Sequence, residues 1–175
     1  MKTNFKTSDI VLSALMMCLI MVAIFILRIP VPFTQGYVNL SDGIIFLAVM
    51  ILGYKYGALS AGLGSMMGDI IGGFAMWAPW TFVIKGIMAL IFGLLLEKTK
   101  AADKPALKVL AMIAGGIFMV FGYFIAEGVM YGSWAVAALG IPWNIGQFAV
   151  GIVLALLLET ALGKTSFRRY LRHQA

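Results

Sequence analysis

Apolar runs long enough to cross a lipid bilayer follow one another along this chain, separated only by short polar breaks. A helical crossing takes roughly 20 apolar residues at about 1.5 Å of rise each. Six runs are readable, at about 9–29, 42–54, 57–76, 79–97, 107–128 and 140–163. Hydrocarbon offers backbone groups no water to bond with, so a spanning chain must be helical or a closed barrel. The fold class expected is therefore an all-α integral membrane bundle, one domain of six transmembrane helices over residues 1–175. Charged residues are 11% of the chain, against about 25% in a soluble domain, too few to cover it with a polar shell.

The breaks set the organisation. The second run is short, and "GYKYG" (53–57) reads as a tight turn into the third. "PVPFTQGYVNLS" (30–41) reads as a loop, and "KTKAADKPA" (98–106) is a polar connection between the fourth and fifth runs. Met1–Ile29 has the basic start and apolar core of a signal peptide. It ends in "RIPVP" without a small-x-small cleavage pattern, so it reads as the first membrane helix.

Cytoplasmic ends of membrane helices are enriched in Lys and Arg. With six spans, Lys2, Lys6, Lys55, Lys98, Lys100, Lys104, Lys108, Lys164, Arg168, Arg169 and Arg172 fall on one side and Arg28 alone on the other. Both termini are expected in the cytoplasm, in the cell membrane of a prokaryote. The net charge of +6 thus marks orientation and implies no nucleic-acid partner.

Depth follows from the same count. Asp69 lies 12 residues above Gly57, and Lys85 lies 12 residues above Glu97, each roughly 18 Å from the inner surface. Charges inside a bilayer normally face the bundle interior and pair, so a pair between Asp69 and Lys85 is expected, either as a structural bridge or as part of a ligand site. Asn144 and Gln147 share a helical face near the outer end of the last span, and Glu127 and Tyr131 end the fifth span on that side. Trp77, Trp80, Trp134 and Trp143 all fall at outer ends, joined by Tyr37, Tyr123 and Tyr131. They read either as an interfacial belt or as stacking surfaces for a flat ring. The glycines at 64, 68 and 72 form a bare stripe suited to close helix packing.

Catalytic arrangements are missing from the pattern. "GKT" (163–165) lacks the preceding glycine of a phosphate-binding loop and follows a helix rather than a strand. The one histidine, His173, is in the tail; no second aspartate lies at the depth of Asp69, no metal-ligand cluster is present, and Cys18 is the single cysteine. Neither an enzyme nor a bound cofactor is expected. There is no nucleotide motif, and no internal repeat of the kind alternating-access carriers use. A binding subunit working with energised partners fits better.

Three segments carry a resemblance to a known family: "YVNLSDGIIFLAVMILGYKYGALSAGLGSMMGDIIGG" (37–73), "APWTFVIKGIMALIFGLLLEK" (78–98) and "IPWNIGQFAVGIVLALLL" (141–158). In these the chain resembles the substrate-binding S component of an energy-coupling-factor (ECF) vitamin transporter. It is similar to the riboflavin-type group and, within it, to the hydroxymethylpyrimidine and pyridoxine branch. The resemblance implies a vitamin site in the outer half and assembly with a transmembrane coupling subunit and two cytoplasmic ATPases. It places substrate contacts at Asn39, Asp42, Asp69, Trp80, Thr81, Lys85, Asn144 and Gln147, beside Glu127 and Tyr131. It also implies docking through two small residues of the first helix, here Ala14 and Cys18, where the family usually has two alanines.

Amide groups and aromatic faces suit a small heteroaromatic ring bearing hydroxymethyl groups. A carboxylate would hold a ring nitrogen, and Lys85 a phenolate-like oxygen. Pyridoxine or hydroxymethylpyrimidine is the expected ligand, with riboflavin or pantothenate as alternatives. A membrane scaffold without a small ligand is the more distant one.

Overall fold

The computed structural model describes residues 7–32, 34–99, 104–165 and 171, so six of the basic residues used for orientation (Lys2, Lys6, Lys100, Arg168, Arg169 and Arg172) lie outside them. The elements are α1 (Thr7–Ile26), β1 (Arg28–Pro30), β2 (Tyr37–Asn39), α2 (Ser41–Ile71), α3 (Ala78–Lys98), α4 (Pro105–Tyr131) and α5 (Trp134–Gly163). Among the described residues, five helices are long and apolar enough to cross a membrane.

The second and third expected spans are one continuous element, α2, folded back on itself. Gly53 inside it has φ +77° and ψ 177°, a conformation essentially reserved for glycine. A Cβ on Gly57 would lie 2.7 Å from the Cα of Val49. Residues eight apart in a straight helix are about 12 Å apart, so the chain reverses here and residues 41–52 pack against the arm that follows Gly53. The first arm is only about 18 Å long, short of a 30 Å hydrocarbon core. This hairpin is the most enclosed part of the molecule: 67% of the apolar window of α2 is buried, against 28–44% in the other helices. It packs on α1, α3 and α5, while α4 closes the bundle between α3 and α5.

The glycine stripe serves the α1 contact. A Cβ on Gly64 would lie 3.0 Å from both the Cα and the carbonyl oxygen of Met17, and one on Gly68 would lie 2.6 Å from Ile24 Cδ1. Bare backbone lets the two helices approach closely. Ala14 and Cys18 are exposed on the opposite side of α1, away from Met16, Ile20 and Ile24 in the core.

The expected loop at 30–41 instead holds half of a small antiparallel ribbon. Arg28, Ile29 and Pro30 pair with Asn39, Val38 and Tyr37, and Val31 N–H closes the turn on the Gly36 carbonyl at 3.1 Å. Pro30 is tolerated because a two-stranded ribbon is all edge. The last helix starts earlier than the apolar run at 140, because Ser133 caps it, its Oγ accepting from Val136 N–H at 3.4 Å. Near the end of the bundle away from the ribbon, Lys108 of α4 is buried in an ion pair with Glu159 of α5. It is therefore a packing residue as well as a flanking charge.

Candidate ligand-binding pocket

The reversal of α2 brings both of its ends to the level of the ribbon. There they meet the start of α3, the end of α4 and the start of α5 around a pocket with about 510 Å³ of empty space, its open mouth included. Asn39 of the ribbon, Asp69 of α2, Thr81 and Lys85 of α3, Glu127 of α4, and Asn144 and Gln147 of α5 all border it. These are seven of the substrate-contact residues expected from sequence. Of the others, Asp42 lies behind the wall, bonded to Lys85 and Gln147. Tyr131 stands behind Trp77, ring centroids 6.1 Å apart, and Trp80 does not line the pocket.

The buried charges pair differently from the expectation. Lys85 donates to Asp42, not to Asp69, and its ammonium also lies 2.9 Å from Met119 Sδ. Gln147 Nε2 donates to the other Asp42 oxygen at 2.9 Å, and Gln147 Oε1 accepts the Asn39 N–H at 2.9 Å. One carboxylate thus ties α2 to α3 and α5, and Gln147 carries the tie to the ribbon. The physical reason is the hairpin: Asp42 sits 11 residues from Gly53, roughly 17 Å along its arm, and so reaches the same depth as Lys85.

Asp69 accepts the Tyr37 hydroxyl, and the Thr81 hydroxyl interacts with the same carboxyl group. Burial and the adjacent carboxylate push the Tyr37 phenol upward, which keeps it an O–H donor. Tyr37 is also fixed from above: the Arg28 guanidinium lies 4.5 Å from its ring centroid and 5.2 Å from that of Phe74. Arg28 in turn donates to the Gly72 carbonyl at 3.2 Å. The ribbon is therefore fastened to the α2–α3 turn through one stacked cation.

Sequence reasoning grouped the tryptophans at one end, but only Trp77 enters the pocket wall. It packs against Tyr123 and Tyr131 at 6.2 and 6.1 Å. Trp134 packs on Phe124 at 5.4 Å and is over half exposed, and Trp143 faces outward. Ser41 and Ser65 were missed altogether. Ser65 was findable, since it precedes Asp69 by four residues and so shares its helical face.

Five wall atoms are buried without a hydrogen bond to the protein: Ser41 Oγ, Ser65 Oγ, Asp69 Oδ2, Trp77 Nε1 and Glu127 Oε2. Elsewhere among the described residues, such atoms occur only in Ser13 and Arg28. Buried polar groups are normally paired, so a cluster of exceptions around one pocket points to a ligand. Among the described residues no three His, Cys, Asp or Glu side chains gather as a metal ion would require.

Residues 4–164 match the family described as ECF-type riboflavin transporter, S component. The chain is 35% identical over 145 residues to an uncharacterized protein of Pyrococcus woesei, covering 81% of this chain and 95% of that one. It is 31% identical over 137 residues to the thiamine precursor transporter HmpT of Lactococcus lactis subsp. cremoris, covering 78% of this chain and 76% of that one. Its fold is similar to that of the S component for biotin from an ECF-type ABC transporter, with a TM-score of 0.74 and 21% identity over 98% of this chain and all of the other.

Proposed function

The chain belongs to the S-component family of ECF-type riboflavin transporters, and from that premise we propose that it captures a small heteroaromatic vitamin, pyridoxine or hydroxymethylpyrimidine, in the pocket at the ribbon end. The observation that carries this reading is the ring of five buried wall atoms without protein partners. They sit in a concave, largely polar pocket that Tyr37, Trp77 and Tyr123 flank with aromatic rings, and convergent polar groups in a concave pocket are what fix a small molecule's orientation. A scaffold without a ligand would pair such groups internally. The thiamine-precursor transporter among the relatives supports the pyrimidine end of the range. Riboflavin and pantothenate remain the alternatives.

As an S component, the protein is a multi-pass, non-catalytic subunit of a vitamin transporter that works with an energising module. We place a transmembrane coupling subunit against the exposed Ala14 and Cys18 face of α1 and assign ATP hydrolysis to two cytoplasmic partner subunits. Counting the two arms of α2 separately gives six helical segments, the first arm crossing only part of the membrane. With the basic ends inward, both termini lie in the cytoplasm of a prokaryotic cell, the ribbon faces outward, and the site residues within the pocket contact the vitamin.

The test is equilibrium binding of labelled pyridoxine, hydroxymethylpyrimidine, riboflavin and pantothenate to the purified chain. Submicromolar binding of one of the first two is expected. Absence of binding for all four would leave the scaffold reading.

A further inference from the structure

Two side chains at the pocket mouth define an edge that a ligand must match. Glu127 is 4% exposed and its Oε2 has no partner in the protein. Trp77 is likewise 4% exposed, with its Nε1 unpartnered. Both border Gly36: a Cβ built there would lie 3.6 Å from Glu127 Oε1 and 3.7 Å from Trp77 Cζ2, a ring carbon two bonds from Nε1. The pocket wall therefore holds a carboxylate acceptor and an indole donor that both approach Gly36, with Glu127 Oε2 turned toward Gly140.

The charges around the pocket add a second constraint. Asp42, Asp69 and Glu127 supply three carboxyl groups against the one ammonium of Lys85, which Asp42 already engages. Arg28 is turned to the Tyr37 and Phe74 rings and the Gly72 carbonyl. Among the described residues lining the pocket, Lys85 is the one cation, and bringing an anion beside a buried carboxylate is costly.

Resting on the proposed vitamin-binding reading, we infer that Glu127 and Trp77 recognise an amidine-type edge, an exocyclic amine next to a ring nitrogen, and that the pocket selects an uncharged or cationic aminopyrimidine. The amine donates to Glu127 and the neighbouring ring nitrogen accepts from Trp77 Nε1. Pyridoxine has no such edge, because a methyl-bearing carbon separates its ring nitrogen from its phenol. A phosphate ester of the same pyrimidine brings an anion into a pocket whose one lining cation among the described residues, Lys85, is already engaged by Asp42.

Isothermal titration calorimetry on the full chain in detergent, with four probes, tests this. The probes are 4-amino-5-hydroxymethyl-2-methylpyrimidine, its 4-oxo counterpart, its phosphate ester and pyridoxine. A site built around a specific donor rejects an analogue lacking it strongly, so the amine is expected to bind at least about 100-fold tighter than the other three. Glu127→Gln reads the edge directly, since an amide can donate to the 4-oxo group. It should lower amine affinity by at least about 10-fold and narrow the amine-to-oxo ratio, whereas Trp77→Phe should weaken the amine, whose ring nitrogen accepts from Nε1, by about 5–10-fold and spare the oxo ring, whose ring nitrogen carries N–H. Equal binding of amine and oxo rings, or an unchanged ratio in Glu127→Gln, overturns the edge assignment. Tightest binding of pyridoxine overturns it too, while leaving vitamin capture standing. Failure of all four probes to bind overturns the assignment together with the vitamin reading on which it rests.

Discussion

Replacing Lys85 by methionine leaves the Asp42 carboxylate buried at 0% exposure without its ammonium partner. Stranding one member of a buried pair costs about 3–5 kcal/mol, whereas removing both is often near neutral. Lys85→Met should therefore lower the unfolding midpoint in detergent sharply, and adding Asp42→Asn should restore most of it. Equal midpoints for wild type and Lys85→Met would mean that the pair does not hold the fold. Asp69→Asn should likewise damage stability more than affinity, because that carboxyl anchors Tyr37 and through it the ribbon. Asn144→Ala should do the reverse, since Asn144 borders the pocket from α5. Melting temperature and dissociation constant measured on both variants check the division, and parallel effects would refute it. The polar positions at this scale were readable from sequence, because each is an expensive residue in an apolar run. Partner choice was not: the depth count that made Asp69 level with Lys85 applies equally to Asp42, but only once the first arm of α2 is known to stop short of the far surface.

The α2 hairpin is the element on which the site depends. Along a straight helix Asp42 and Asp69, 27 residues apart, would be about 40 Å from each other; the reversal at Gly53 puts both at the pocket end. A side chain at φ +77°, ψ 177° is strained by about 1–3 kcal/mol or more, and Gly53→Val also places bulk in the turn. That variant should give a low yield of folded protein and raise protease sensitivity near residue 53, with vitamin binding lost in whatever remains. Normal yield and affinity would show that the turn tolerates side chains. The turn itself was legible as "GYKYG", but its effect was not, because apolar periodicity marks where helices lie and says nothing about whether two of them form one folded-back unit. The ribbon escaped for a related reason: three-residue strands are too short for alternation to register, and the two prolines in the segment argue for a loop.

At the scale of the whole molecule, one end of the bundle holds the pocket while the face of α1 bearing Ala14 and Cys18 lies outside the core. The two regions are separated by the contact between α1 and the glycine stripe of α2, where Gly64 approaches the Met17 backbone. A bulky residue on the outward face should therefore leave that contact, and the pocket behind it, in place. If the coupling subunit docks on this face, close backbone approach requires small side chains there, and indole at position 14 blocks it. Ala14→Trp should abolish vitamin uptake by cells carrying the complete transporter. The purified variant should keep its vitamin affinity within about twofold and its melting temperature near wild type, as expected of a surface change away from the core. Loss of affinity along with uptake would place Ala14 in the support of the pocket instead. Uptake that survives the change would move the docking surface to another face of the bundle, and Cys18→Trp, one helical turn further along the same side, should then be equally silent.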